Sequence, residues 1–174
     1  PLPPADLVIL AGSKSVRADL EFLRTQGWEN YLQKHLRYGG KVMGICGGFQ
    51  MLGNSIDDPH AMEGEAGTAQ GFGLLDFSTA LEPEKQLLRV HGQLLSGGAS
   101  ISGYEIHCGV STGIALENPA IDLGDHYDGA RSIDNQIIGS YVPGIFDEAD
   151  SLASLLSWAG LRDVEMFDYH ARQE

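Results

Sequence analysis

Gly44-Ile45-Cys46-Gly47-Gly48 is the segment of this chain whose residue types and spacing could do covalent chemistry. It has the form G-x-nucleophile-x-G. An apolar run precedes it and Phe49-Gln50-Met51-Leu52, which reads as a helix start, follows it. A nucleophile on a strained strand-to-helix turn brings neighbouring backbones close together, so the residues two before and two after it must be small. The turn also sets the sulfur beside a helix N-terminus, where unpaired N–H groups and the dipole favour thiolate over thiol. The N–H of Gly47 would point toward an oxyanion formed on an attacked carbonyl. The competing reading is a buried structural cysteine beside a glycine-rich turn. The coincidence of strand, elbow and helix favours the chemical one.

A second signal lies in Leu10-Ala11-Gly12-Ser13-Lys14. A Gly-Ser turn at the carboxyl end of a parallel strand is where α/β proteins place ligand-binding loops. Its backbone N–H groups, Gly12 first, would supply the other half of an oxyanion hole, with Ser13 facing substrate. A phosphate loop is excluded, because the glycine it requires is replaced by Val8. A cysteine nucleophile normally takes a histidine as its base. Of the 6 histidines, His35 sits on a helix face, and His60 and His126 fall in polar stretches. His107 alternates with Glu105 onto one face of a strand, so imidazole and carboxylate could meet there. For that pair alone a structural role is the expectation. Cys46 and Cys108 are far apart, no cluster has metal-ligand spacing, and no metal is expected.

The elements that must position these residues are legible. Asp6 to Ala11 and Lys41 to Ile45 read as strands buried on both faces. Ser15 to Gln26 and Trp28 to Tyr38 read as helices, the second stopped by Gly39-Gly40. Asn54 to Gly71 is polar and is expected to be a surface loop. Strands are expected over 73–80, 87–95, 101–110 and 136–142, some of them antiparallel. Asp147 to Trp158 reads as an amphipathic helix, and Val164 to Gln173 as another. The whole predicts one α/β domain with a mixed, mainly parallel, flavodoxin-like sheet flanked by helices.

Composition narrows the function. The 174 residues carry 24 acidic against 11 basic side chains, a net charge of −13, which disfavours nucleic acid as a partner. No apolar run is long enough for a membrane helix and no signal peptide is visible, so no membrane role is expected. Two cysteines make no disulfide framework and fit a reducing, cytoplasmic setting. The chain opens on Pro1, which reads as part of something longer.

The series Asp6-Leu7-Val8-Ile9-Leu10 to Gly12-Ser13-Lys14, Gly44-Ile45-Cys46-Gly47-Gly48-Phe49-Gln50-Met51-Leu52-Gly53, Gly71-Phe72-Gly73-Leu74-Leu75, Gly103-Tyr104-Glu105-Ile106-His107, Asp128-Gly129-Ala130 and Gly144-Ile145-Phe146-Asp147 covers nearly the whole chain. It resembles the class I, cysteine-type glutamine amidotransferase domains of the cobyric acid synthase family, in the cobalamin branch. The a,c-diamide synthases are the nearest confusable relatives. The resemblance implies that Cys46 attacks the side-chain amide of L-glutamine, that Gly12 and Gly47 hold the oxyanion, and that Gln50 helps bind the substrate. It implies that the ammonia passes to an upstream ATPase domain, which amidates corrinoid carboxylates. ATP and magnesium would belong to that domain, with no cofactor in this one. It further implies an additional upstream strand in the amidotransferase domain itself.

Two positions depart from the family pattern. Ala11 replaces a proline, a mild change. Pro143 stands where the pattern Tyr-x-His-Gly-x-Phe places the catalytic base. Proline can neither take nor give a proton from its side chain. The expectation is an intact fold and a reactive thiol with weak or no glutaminase turnover. The alternatives are a catalytically silent regulatory or docking domain of the same fold, and a cysteine hydrolase of the α/β-hydrolase type using the late His170.

Overall fold

Leu7–Leu10, the apolar run after the opening prolines, forms β1. The computed structural model describes residues 2–161. Two helices follow β1: α1 (Val16–Thr25), which buries Val16 and Leu20, and α2 (Trp28–Arg37), which buries Leu32. The start of α1 has no cap from its own sequence neighbours. Glu63, far along the chain, accepts from the N–H groups of Val16 and Arg17 at 3.0 and 2.9 Å. A carboxylate there satisfies two orphan donors and complements the helix dipole. Gly39, at φ +85°, ends α2 in the left-handed conformation that glycine adopts without penalty.

β2 (Lys41–Ile45) lies parallel to β1, with Val8 opposite Val42 and Leu10 opposite Gly44. It runs through Cys46 into the short helix α3 (Gly47–Leu52). The polar stretch after α3 is not the loop that its composition suggested. It contains β3 (Ser55–Asp58) and β4 (Gly67–Gln70), paired antiparallel. Polar residues are tolerated in that pair because they are partnered. The buried carboxylate of Asp58 accepts from the N–H groups of Met62 and Glu63 and pairs with Arg17 at 3.1 Å. Hydrophobicity alone therefore gave the wrong reading of 54–71.

The strands expected over 73–80 and 87–95 merge into one, that over 101–110 lengthens, and that over 136–142 shortens. β5 (Ser78–Leu94) and β6 (Ser100–Thr112) form a long antiparallel ribbon, with a register break between Ala80 and Lys85. The short strands β7 (Ile121–Asp122), β8 (Tyr127–Asp128) and β9 (Ala130–Arg131) lead to β10 (Ile137–Ser140). A 3₁₀ turn over Pro143–Phe146 then opens onto α4 (Ala149–Trp158). The further helix expected over 164–173 lies outside the described residues.

Two sheets result, where one was expected. The first has the order β1-β2-β10-β9, with β1, β2 and β10 parallel. The second has the order β4-β3-β5-β7-β8, with β6 also on β5, and is mostly antiparallel. β2 shows why its sequence is apolar throughout. Val42 packs into a cluster with Leu20, Leu32 and Phe49, whereas Met43 and Ile45 join Val90, Ile121 and Leu155. Both faces of the parallel sheet are covered, as parallel sheets require.

Candidate active site

The candidate nucleophile sits at the end of β2. Cys46 has φ +50° and ψ −113°, a conformation that a non-glycine residue adopts only when its surroundings force it. The flanking glycines make that turn possible. A Cβ on Gly44 would lie 2.7 Å from the Gly48 carbonyl oxygen, and one on Gly48 would lie 2.0 Å from the Leu10 oxygen. A Cβ on Gly47 would meet the Ser13 nitrogen at 3.0 Å. The loop after β1 is thus pressed against the elbow, and a Cβ on Gly12 would stand 3.6 Å from that of Cys46. Gly47, as the first residue of α3, has an N–H with no intrahelical acceptor.

The elbow opens into a cleft of about 340 Å³. Ser13, Cys46, Gln50, Lys85, His107 and Tyr141 are among its lining residues. The Gln50 side chain is buried and donates to the Cys108 carbonyl at 3.3 Å. The Cys46 N–H donates to the Ser140 oxygen at 2.9 Å, and its thiol lies 3.7 Å from the Tyr141 oxygen. The Ser13 hydroxyl, expected to face substrate, donates to Asp19 and accepts from the Ser15 N–H.

Electrostatics at the sulfur run against the expectation of a thiolate. Burial pushes the Cys46 thiol up to about 11, the charge of Asp128 adds to that, and Lys85 opposes it. α3 has only 6 residues, a short dipole to set against that loss of hydration. Asp128, which the sequence offered only as part of a motif, is the buried carboxylate of the site. It accepts from the Ser140 hydroxyl at 2.6 Å and from the Tyr141 N–H at 3.2 Å. Burial pushes its carboxyl up to about 6, against the ordinary 3.8.

Glu105 and His107 lie together, with Oε1 3.2 Å from the ring Nε2. The structure adds a third member from a distant turn: the other Glu105 oxygen is 2.8 Å from His126 Nε2. His126 also reaches Asp125 at 2.6 Å, and the two carboxylates raise its pKa, Glu105 foremost. The second nitrogen of His107 lies 2.8 Å from the Gly109 oxygen, and its ring packs on Tyr141 at 4.6 Å. Both nitrogens of His107 therefore face oxygens rather than the sulfur. Pro143 is exposed, opens the 3₁₀ turn, and is not among the residues lining the cleft. His170 lies outside the described residues. Among the described residues, no three His, Cys, Asp or Glu side chains converge as a metal ion requires.

Lys85 had no signal in the sequence, and Asp128 had only its place in the Asp128-Gly129-Ala130 block, with no role attached. Each reaches the site from an element distant in the chain, and only the β5–β6 register and the β8 turn bring them there.

A strained cysteine between a parallel strand and a helix, faced by a glycine turn from the neighbouring strand, defines an α/β protein of the class I glutamine amidotransferase fold. The fold is shared with the crystal structure of a glutamine amidotransferase, at TM-score 0.64 and 16% identity over 90% of this chain and 80% of that one. It is shared equally with the structure of PurLQS from Thermotoga maritima, at TM-score 0.59 and 15% identity over 90% of this chain and 81% of that one. Residues 1–151 match the CobB/CobQ-like glutamine amidotransferase domain, and the chain belongs to that family.

Proposed function

We propose that this chain is the glutaminase domain of a cobyric acid synthase, and that its own turnover is slow. The observation that carries the reading is Cys46, held at φ +50° and opening into a cleft with Ser13 and Gln50. In the proposed reaction the Cys46 sulfur attacks the side-chain amide carbon of L-glutamine. The N–H groups of Gly12 and Gly47 hold the resulting oxyanion. The C–N bond breaks and the nitrogen leaves as ammonia, taking the thiol proton. Water then hydrolyses the thioester, giving glutamate and restoring the thiol. Lys14, at the rim of the cleft, supplies positive charge for the substrate carboxylate. In the whole protein, an upstream domain using ATP and magnesium would spend the ammonia on corrinoid carboxylates.

The missing step is removal of the thiol proton. Pro143 cannot accept it, and burial holds it on the sulfur. Loss of a general base commonly costs on the order of 10²–10⁴-fold in rate. The test is ammonia release from glutamine by the unaltered chain and by Pro143→His. A large gain in the variant supports the reading; an ordinary rate in the unaltered chain overturns the role given to position 143.

The second reading is a silent regulatory or docking domain. It is favoured by His107, whose two nitrogens are both committed elsewhere. A glutamine analogue that alkylates Cys46, with protection by glutamine, separates the two: labelling blocked by glutamine supports substrate binding, and no labelling supports the silent domain.

A further inference from the structure

With no imidazole turned toward the sulfur, the cleft is still lined by two cations, Lys14 and Lys85. Lys85 stands directly opposite Cys108 in the β5–β6 ladder, and both residues line the cleft with Cys46. The register break between Ala80 and Lys85 sets that alignment. Among the described residues Lys85 has no carboxylate within ion-pairing distance. A lysine with no such partner, sharing a cleft with a half-buried thiol, is notable in a chain of net charge −13. We propose that the Lys85 ammonium is the counter-ion of the Cys46 thiolate, stabilising it across the cleft where the base position holds Pro143. This rests on the reading of Cys46 as the nucleophile.

The other charged and titratable groups about the sulfur come from each surrounding element. Asp128, at the end of β8, opposes ionisation. Glu63 is committed to the start of α1. Lys14 lies on the loop after β1, and His107 and Tyr141 close the cleft from β6 and from the end of β10. Two of the groups lining the cleft, Lys14 and Lys85, are cations, and Lys85 is the one whose charge favours the ionised sulfur against Asp128. Its effect passes through solvent at the cleft mouth, so it is modest and sensitive to salt.

The experiment follows alkylation of Cys46 in a Cys108→Ser background, across alkaline pH, with neutral iodoacetamide and anionic iodoacetate. Lys85→Met is expected to move the pH dependence upward and to slow iodoacetamide about two- to fivefold, with a larger loss for iodoacetate. Lys85→Arg retains the parent profile, Lys85→Glu shifts it further, and high salt narrows the differences. Lys34→Met, on α2, controls for net charge. Equal profiles and equal reagent ratios in parent and Lys85→Met overturn the proposal. So does a Lys34→Met shift as large as that of Lys85→Met. The readout needs no glutamine. A chain that fails to bind or hydrolyse glutamine would sink the proposed function while leaving the Lys85 assignment decided by its own data.

Discussion

The thiol of Cys46 lies 3.7 Å from the carbonyl oxygen of Tyr141, the residue whose N–H is held at 3.2 Å by the buried carboxylate of Asp128. The sulfur and the acid are thus joined through one residue, Tyr141, just past β10. Asp128 orders the ground on which the nucleophile stands while its charge resists ionisation of the thiol.

The high thiol pKa gives the first prediction. Alkylation of Cys46 by iodoacetamide should rise about tenfold per pH unit through neutrality and level off only near 11. A midpoint near neutrality, read from the same rates, would contradict the burial argument. Installing an imidazole by Pro143→His should move that midpoint down and raise ammonia release, by about 10²–10⁴-fold if the ring reaches the sulfur.

Asp128 supplies a stability prediction. Its carboxyl is neutralised more readily in the fold than in the unfolded chain, at about 6 against 3.8. The native state therefore binds more protons between those values, and stability falls as pH rises through that window. Asp128→Asn removes this loss, on the order of 2–3 kcal/mol at neutral pH before the hydrogen bonds to Ser140 and Tyr141 are counted. Denaturant unfolding at acid and at neutral pH measures it. A pH-independent difference between the two proteins would be the contrary result.

Glu105 ties two histidines together, so Glu105→Gln should act on both. The pKa of His126, raised first by Glu105 and then by Asp125, should fall in the variant. A raised histidine pKa stabilises the fold at pH below the ordinary 6.5 and loses that contribution as pH rises through the folded value. NMR titration of the His126 ring reads the shift, and an unmoved titration would show that Asp125 suffices.

The elbow glycines are steric requirements. Gly48→Ala would place a methyl 2.0 Å from the Leu10 oxygen, so the strand or the turn must move. The expected cost is about 1–3 kcal/mol, with a changed rate of Cys46 alkylation. Gly27→Ala, where nothing lies within 4 Å, suffers only the strain of its positive φ. Comparing thermal unfolding of the two separates collision from backbone preference.

The elbow was legible because its cause is local. Small residues two before and two after Cys46 are a steric necessity written in adjacent positions. The strand Lys41–Ile45 was legible for a similar reason, since burial on both faces leaves a continuous apolar run. The polar strands β3 and β4 were not, because Asp58 draws its partners from Arg17, Met62 and Glu63. His126 was read as a loop residue and lies in the turn between β7 and β8, but its pairing with Glu105, 21 positions away, had no local signal. The expected thiolate weighed the dipole of α3, whereas packing adds a desolvation, visible only in the fold, that pushes the thiol the other way.

The cleft has walls of two origins. Ser13 and Cys46 ride on the parallel sheet, whereas Lys85 and His107 ride on the antiparallel ribbon. The clasp between Glu63 and the first turn of α1 fastens these layers together near the opening. The spacing between nucleophile and cation is therefore a property of how two slabs are bolted, and loosening that bolt would change reactivity without touching a single reacting atom.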